Sequence, residues 1–159
     1  MNNLENKKVI TYSLNNVREL KFNYQDPYIN IENFDPESYN FKYGLQVNYK
    51  WNLDKELFGV VLDFLYKANR KNEDNIDLLE FSNYTEFRVE NLDNIFTPRS
   101  SNDFDFDEKY EVTFVSIAIS TGRGMLITRT AGTFFQKLIF PIINPQKVIL
   151  SQKVTKSEK

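Results

Sequence analysis

The chain has 159 residues, enough for one domain with its own core, and its net charge of -2 argues against a nucleic-acid partner, which requires a concentrated basic face. It contains no cysteine and no histidine, which removes thiol nucleophiles, the usual metal ligands and the usual base near neutral pH. Aromatic residues make up 15% of the chain, and this excess fits either a core rich in rings or apolar surface reserved for a partner.

The two ends of the chain bear on its location and extent. The amino-terminal sequence MNNLENKKVI lacks the apolar run of a secretory signal, and no segment approaches the length of a membrane helix. We therefore expect a cytoplasmic protein without direct membrane insertion. We also expect a single domain over residues 1–150 and a short polar, lysine-rich tail over residues 151–159, with QKVTKSEK solvated and frayed.

Alternating apolar and polar residues predict four β-strands, because successive side chains of a strand point to opposite faces. The polar connections NLDK and NRKNEDN separate the last three strands and leave no room for crossover helices, so these strands should form an antiparallel meander. The four segments are LKFNY (20–24), KYGLQVNYKW (42–51), LFGVVLDFLYKA (57–68) and LLEFSNYTEFRVE (78–90).

A long connection, QDPYINIENFDPESYNF over residues 25–41, separates the first strand from the second. Its two Asp-Pro pairs make a regular element unlikely, because each proline forces extended backbone before it. Long connections in small domains are uncommon and are often functional. The many apolar residues in this segment fit two interpretations: a loop held over the core, or a loop that binds something.

Residues 106–131 carry conflicting signals. Valine, isoleucine and threonine favour a strand, and Gly122 and Gly124 weaken a helix. Acidic residues at one end, arginines at the other, apolar residues at a spacing of three to four and a terminal Gly132 favour a helix. We favour the helix and interpret the alternating Phe104 and Phe106 as part of its start.

The sequence offers little for catalysis. STGRG lacks the spacing and the Lys-Ser/Thr ending of a phosphate-binding loop. Asp103, Asp105 and Asp107 lack the central glycine and distal glutamate of a calcium loop, so we expect no metal. Hydrolysis by carboxylates alone needs two facing acids, and no pair stands out in the sequence. We expect a protein that is not an enzyme and that uses no cofactor.

The order of the segments and several of their sequences resemble the export chaperone SecB and its SecB-like relatives over most of the chain. The stretches that carry the resemblance are VRELKFNYQDP, KYGLQVNYKWNLDKELFGVVLDFLYKA and RTAGTFFQKLIFPIINP. The resemblance implies an α+β fold with a four-stranded antiparallel sheet, formed by a meander with a long crossover loop after strand 1, packed against a long C-terminal helix. It also implies ATP-independent holding of unfolded polypeptides in apolar grooves, by a homo-oligomer that is a dimer of dimers.

The resemblance also implies particular site residues. Tyr39 falls where the family has a tryptophan in the crossover loop that helps to line the client groove. Its neighbours and the rings after the main helix would extend this groove, some of them sealing the core instead. The groove residues expected are Phe34, Tyr39, Phe41, Tyr43, Phe134, Phe135 and Phe140.

A second implied site is an acidic sheet face that docks the translocation ATPase SecA. Glu19, Leu78 and Glu80 match that pattern, whereas Asn23 replaces a family acid. The lysine-rich end of the chain is a further departure. The expected partners are therefore unfolded polypeptide clients, with either SecA or an antitoxin as the specific one.

One alternative from another class stays open. Sheet and helix could enclose a cavity for a small apolar ligand, in a protein that binds without catalysis. The expected lining of that cavity is Phe58, Phe64, Phe81 and Phe114.

Overall fold

The computed structural model of the chain describes residues 9–70, 75–100, 103–137 and 142–157. Long strands and one long helix dominate these ranges, giving an α+β fold. The strands are β1 (Tyr12–Tyr24), β2 (Asn40–Asn52), β3 (Leu57–Asn69), β4 (Ile76–Val89), β5 (Phe96–Pro98) and β6 (Phe104–Phe106), and the helices are α1 (Pro27–Asn30), α2 (Glu108–Thr130) and α3 (Pro145–Ser157).

The main sheet has the strand order β1-β4-β3-β2, and every neighbouring pair is antiparallel. β2, β3 and β4 form the meander, while the chain crosses from β1 at one edge to β2 at the other through residues 25–39. The fold class expected from the sequence, with its long crossover after the first strand, is therefore confirmed.

The helical interpretation of residues 106–131 is also confirmed. α2 begins after Asp107, whose carboxylate accepts the backbone N–H of Lys109 at 3.0 Å, and acidic residues occupy its first turn. Arg129 lies in the last turn, where a cation is favoured by the helix dipole. Gly132 follows with φ of 80°, a left-handed conformation that glycine adopts at little cost.

A small hairpin precedes the helix, contrary to the expectation for Phe104 and Phe106. These residues form β6, which pairs with β5, and both rings lie 5.3 Å from the ring of Phe96. Phe104 and Phe106 therefore alternate as in a strand, and both of their rings face the core. Arg99 holds the hairpin by pairing with Asp103 at 3.7 Å and with Asp105.

The core lies between α2 and one face of the main sheet, called here the inner face. The rings of Phe87 and Phe114 stack at 4.6 Å, and Phe58 lies 5.7 Å from Phe114. Burial of each such ring contributes about 2–3 kcal/mol to folding. Phe58, Phe64, Phe81 and Phe114, the expected cavity lining, are each at most 2% exposed and pack against other rings, so they fill the core instead.

The C-terminal residues continue a helix past the expected boundary at residue 150. α3 begins with Pro145, and Asn144 caps it by accepting the N–H of Gln146 at 3.0 Å. Ile149 is 5% exposed and belongs to the core cluster, which fixes the helix on the domain. The backbone of residues 151–157, which the sequence assigned to a separate polar tail, therefore belongs to α3, while the solvated end expected from residue 152 onward stays a prediction. Within the described ranges, no helix has both the length and the apolar character needed to cross a membrane.

Candidate functional site

Aromatic rings from three separate segments meet at one end of the inner face. Phe34 comes from the crossover, Phe41 from the start of β2, and Phe134 from the 3₁₀ turn that follows α2. The ring of Phe134 lies 5.5 Å from that of Phe34 and 5.9 Å from that of Phe41. We call this group the crossover cluster; its members are Tyr28, Phe34, Tyr39, Phe41 and Phe134.

The two Asp-Pro pairs of the crossover shape the cluster. The carboxylate of Asp26 accepts the N–H of Tyr28 at 3.0 Å, and that of Asp35 accepts the N–H of Glu37 at 3.1 Å. Each pair thus caps a short helical turn, with the proline at its first position. Asn33 between the turns has φ of 52°, which reverses the chain and brings Tyr28 within 5.1 Å of Phe34.

The cluster is only half buried, and apolar side chains continue from it onto the surface. Tyr28 is 61% exposed and the adjacent Ile29 is 82% exposed. Tyr43, two residues after Phe41 and on the same face of β2, is 50% exposed. Contiguous exposed apolar surface of this kind is typical of sites that bind another molecule.

Phe135 differs from its neighbour Phe134. It is 5% exposed, and its ring lies 6.2 Å from that of Tyr24 and 6.4 Å from that of Tyr66. The two consecutive rings therefore divide between the core and the surface.

The structure brings together four of the expected groove residues: Phe34, Tyr39, Phe41 and Phe134. Tyr43 lies beside them, Phe135 seals the core, and Phe140 lies outside the described residues. Sequence reasoning missed Tyr28 as a member of the site. The capped Asp-Pro turn that presents this ring was the available signal.

The charged side chains of the crossover are all acidic. Residues 25–41 include no lysine or arginine. Among the described residues, no ion pair is formed by their carboxylates. Within this segment the charge of the side chains is therefore negative only, whereas Lys42 directly follows Phe41. The acidic residues are Asp26, Glu32, Asp35 and Glu37.

The three expected docking residues do not share a surface. Glu19 lies opposite the core residue Asn83 on the inner face, where Arg129 donates to its carboxylate at 2.6 and 2.8 Å. These hydrogen bonds lower the pKa of Glu19. Leu78 sits at a register shift, is 1% exposed and belongs to the core. Glu80 lies on the opposite, outer face and pairs with Lys21 at 2.7 Å.

The expectation of one acidic docking face is therefore wrong for this chain. The register shift between Glu19 and Lys21 explains the outcome. It places the Glu19 side chain on the inner face, while Glu80 lies on the outer face. No pattern in the sequence marks that shift.

One carboxylate is buried beside the core. Glu111, in the first turn of α2, is 1% exposed and accepts the hydroxyl of Tyr49 at 2.9 Å. Burial raises the pKa of Tyr49, and the charge of Glu111 raises it further. This pair links the start of α2 to β2. Across the part of the chain that the structure describes, no group of three acidic side chains could hold a metal ion.

Comparisons with known proteins give similarity at the level of structure alone. No family model matches the chain, and no curated protein matches it. Among solved structures, it is similar to the SecB-like chaperone Rv1957 of Mycobacterium tuberculosis in complex with a ChAD peptide from the HigA1 antitoxin, with 10% identity over 84% of this chain and 87% of that one and a TM-score of 0.48. It is also similar to a protein of unknown function from Streptococcus agalactiae, with 8% identity over 86% of this chain and 97% of that one and a TM-score of 0.38.

Proposed function

We propose that this protein is an ATP-independent holdase that keeps non-native polypeptides from aggregating in the cytoplasm. The observation that carries the proposal is the crossover cluster, a half-buried set of rings drawn from three segments and continued by exposed apolar side chains. Rings held on a loop and a 3₁₀ turn can adjust to clients of different shape. The proposal requires binding and no reaction.

The crossover carboxylates narrow the proposed client. A segment that carries lysine or arginine between its apolar residues would place its cations near Asp26, Glu32, Asp35 or Glu37 while its apolar side chains contact the rings. An acidic segment would be repelled. We therefore propose clients that are apolar and basic, such as an unstable antitoxin or another unfolded chain, and we assign no SecA docking to Glu19, Leu78 and Glu80.

We also propose that the working form is a homo-oligomer, a dimer of dimers. Leu14 and Leu20 are exposed on β1, which is an edge strand of 13 residues. Ile127 is exposed on the side of α2 that faces away from the sheet. Long edge strands with apolar side chains are surfaces that proteins normally cover.

The holdase proposal is tested by light scattering of a chemically denatured client diluted into buffer, with and without the protein. The double variant Tyr28→Ser, Phe34→Ser removes two rings of the crossover cluster, and we expect it to protect the client at least several-fold less well than the parent protein. The matched control is Leu53→Ser, since Leu53 is exposed in the turn at the other end of β2.

If Leu53→Ser loses as much protection of the client as the double variant does, the loss comes from exposed apolar surface in general and not from the crossover cluster. A parent protein that does not protect any client, apolar and basic ones included, would overturn the proposal.

A further inference from the structure

A tyrosine ring lies flat against the outer face of the main sheet. Tyr84 of β4 covers Gly59 of the neighbouring β3 and is 7% exposed. A Cβ at Gly59 would overlap the Tyr84 ring, so a side chain at that position would displace the ring. Glycine weakens the interior of a strand, and it often marks a place where another group approaches the backbone closely. Gly59 therefore serves the position of this ring.

Two cations from the edge strands lie over the ring. The guanidinium carbon of Arg18 on β1 is 5.0 Å from the ring centroid, and the Nζ atom of Lys50 on β2 is 5.9 Å from it. Both distances lie within the range of cation–π attraction. All four strands of the sheet thus contribute to one feature, which we call the tyrosine platform: Arg18, Lys50, Gly59 and Tyr84.

The carboxylate beside the ring, that of Glu86, is directed at neutral donors. Its two oxygens accept the hydroxyl of Tyr84 and the side-chain amide of Asn15, each at 2.6 Å. Among the described residues, neither Arg18 nor Lys50 forms an ion pair, and both side chains are exposed. The platform therefore presents two cations to solvent without a carboxylate paired to either.

The outer face differs in charge between its two halves. In the half nearer the crossover, Lys21 pairs with Glu80 at 2.7 Å and Lys67 with Asp77 at 3.1 Å. In the half nearer the turn between β2 and β3, the exposed Arg88 on the same face of β4 adds to the charge of the platform. Ion pairs thus link the strands in the first half, whereas the second half has an excess of positive charge.

We propose that the tyrosine platform binds an acidic segment of a partner protein, with carboxylates of that segment received by Arg18 and Lys50. Charge complementarity determines the choice of partner. Because the ring already holds both cations, little side-chain freedom is lost when the segment binds. This site goes beyond the proposed holdase function, since it lies on the sheet face opposite the core and favours a ligand of the opposite charge to the proposed clients.

An acidic peptide tests the proposal. The probe is a fluorescein-labelled peptide of about ten residues, the length of a long strand, in which glutamate alternates with serine. Its binding to the full chain is measured by fluorescence anisotropy at about 50 mM salt, and we expect about 0.5 M salt to weaken it several-fold. A peptide with glutamine in place of glutamate should not bind. Equal binding of the two peptides, or no binding of the glutamate peptide, would overturn the proposal.

A pair of double variants locates the peptide on the chain. Arg18→Gln with Lys50→Gln removes both cations of the platform, and we expect it to weaken binding about three- to tenfold. The matched control is Lys42→Gln with Lys147→Gln, which removes the same charge at two exposed lysines away from the platform and should keep most of the affinity. Equal losses in the two double variants would mean that net charge alone attracts the peptide, and would overturn the platform as a site.

The client assay separates this site from the crossover cluster. Arg18→Gln with Lys50→Gln should protect a denatured client as well as the parent does, and loss of protection would overturn a separate site. Peptide binding is measured without a client, so it can succeed where the holdase proposal fails. A single-stranded oligonucleotide that binds the platform more tightly than the peptide would point to a nucleic-acid partner and would overturn the acidic protein segment.

Discussion

Two glycines in α2 have opposite surroundings, although they lie two residues apart. A Cβ added to Gly122 would lie 2.6 Å from the Asn83 Oδ1 atom and 3.0 Å from the Phe64 ring, in a fully buried contact between helix and sheet. A Cβ on Gly124 would meet nothing within 4 Å. We expect Gly122→Ala to lower the free energy of unfolding by about 1–3 kcal/mol, and Gly124→Ala to raise it by up to about 1 kcal/mol.

Chemical denaturation of the two variants beside the parent checks this pair. If both substitutions stabilise the protein, α2 does not approach β4 as closely as the structure has it. The sequence could not predict the contrast, because both glycines weaken a helix equally in isolation. Only the position of Asn83 across the interface makes one of them necessary.

At the scale of elements, one ion pair ties the end of α2 to β1. Arg129 forms two hydrogen bonds with the Glu19 carboxylate, and these lower the pKa of Glu19 from its ordinary value of 4.5. A lowered pKa in the folded state means that the pair stabilises the fold above the unfolded pKa, and that this contribution is lost as the pH falls through the folded pKa. The effect is small because both side chains contact solvent.

We expect Glu19→Gln to make stability less sensitive to acid. Urea midpoints at about pH 7 and pH 3 should therefore differ less for Glu19→Gln than for the parent. The control is Glu32→Gln, at an exposed carboxylate of the crossover, which should keep the dependence of the parent. Identical pH dependence in the parent and in Glu19→Gln would mean that the ion pair does not contribute in solution.

The elements that the sequence predicts well are those whose two faces differ. β2, β3 and β4 each match their predicted segments within three residues, because an inner core face and a more polar outer face impose a clear alternation. The sequence predicts β1 only over residues 20–24, since this strand is largely exposed on both faces and two register shifts interrupt its period. The three-residue strands β5 and β6 are too short to show a period.

At the scale of the whole molecule, the candidate site depends on contacts that no local pattern encodes. The sequence shows an excess of rings, and the resemblance to SecB names four of those that the structure brings together in the crossover cluster. That Phe34 and Phe41 meet Phe134, almost a hundred positions along the chain, follows from the antiparallel sheet and from where α2 ends. The expectation of an acidic face is wrong for the same reason, because the face on which each carboxylate lies depends on strand register and not on residue type.

The assembly prediction belongs to this scale. The inner side of α2 packs on the sheet, whereas Ile127 is 64% exposed on the other side and does not belong to the core cluster of the described residues. If helices pack together between two sheets, Ile127→Glu places charge inside that interface. We expect the parent to have about four times the 18.8 kDa chain mass by light scattering and the variant about half of that.

The matched control for assembly is Leu150→Glu, at a similarly exposed leucine on α3. It should keep the parent mass, because the proposed contact runs through α2. Both variants should also be compared with the parent for protection of a denatured client. A smaller assembly that protects as well as the parent would place the whole client site within a smaller unit, as expected if the crossover cluster of one chain suffices. A parent that is monomeric at all concentrations would overturn the proposed dimer of dimers and leave Ile127 as ordinary exposed surface.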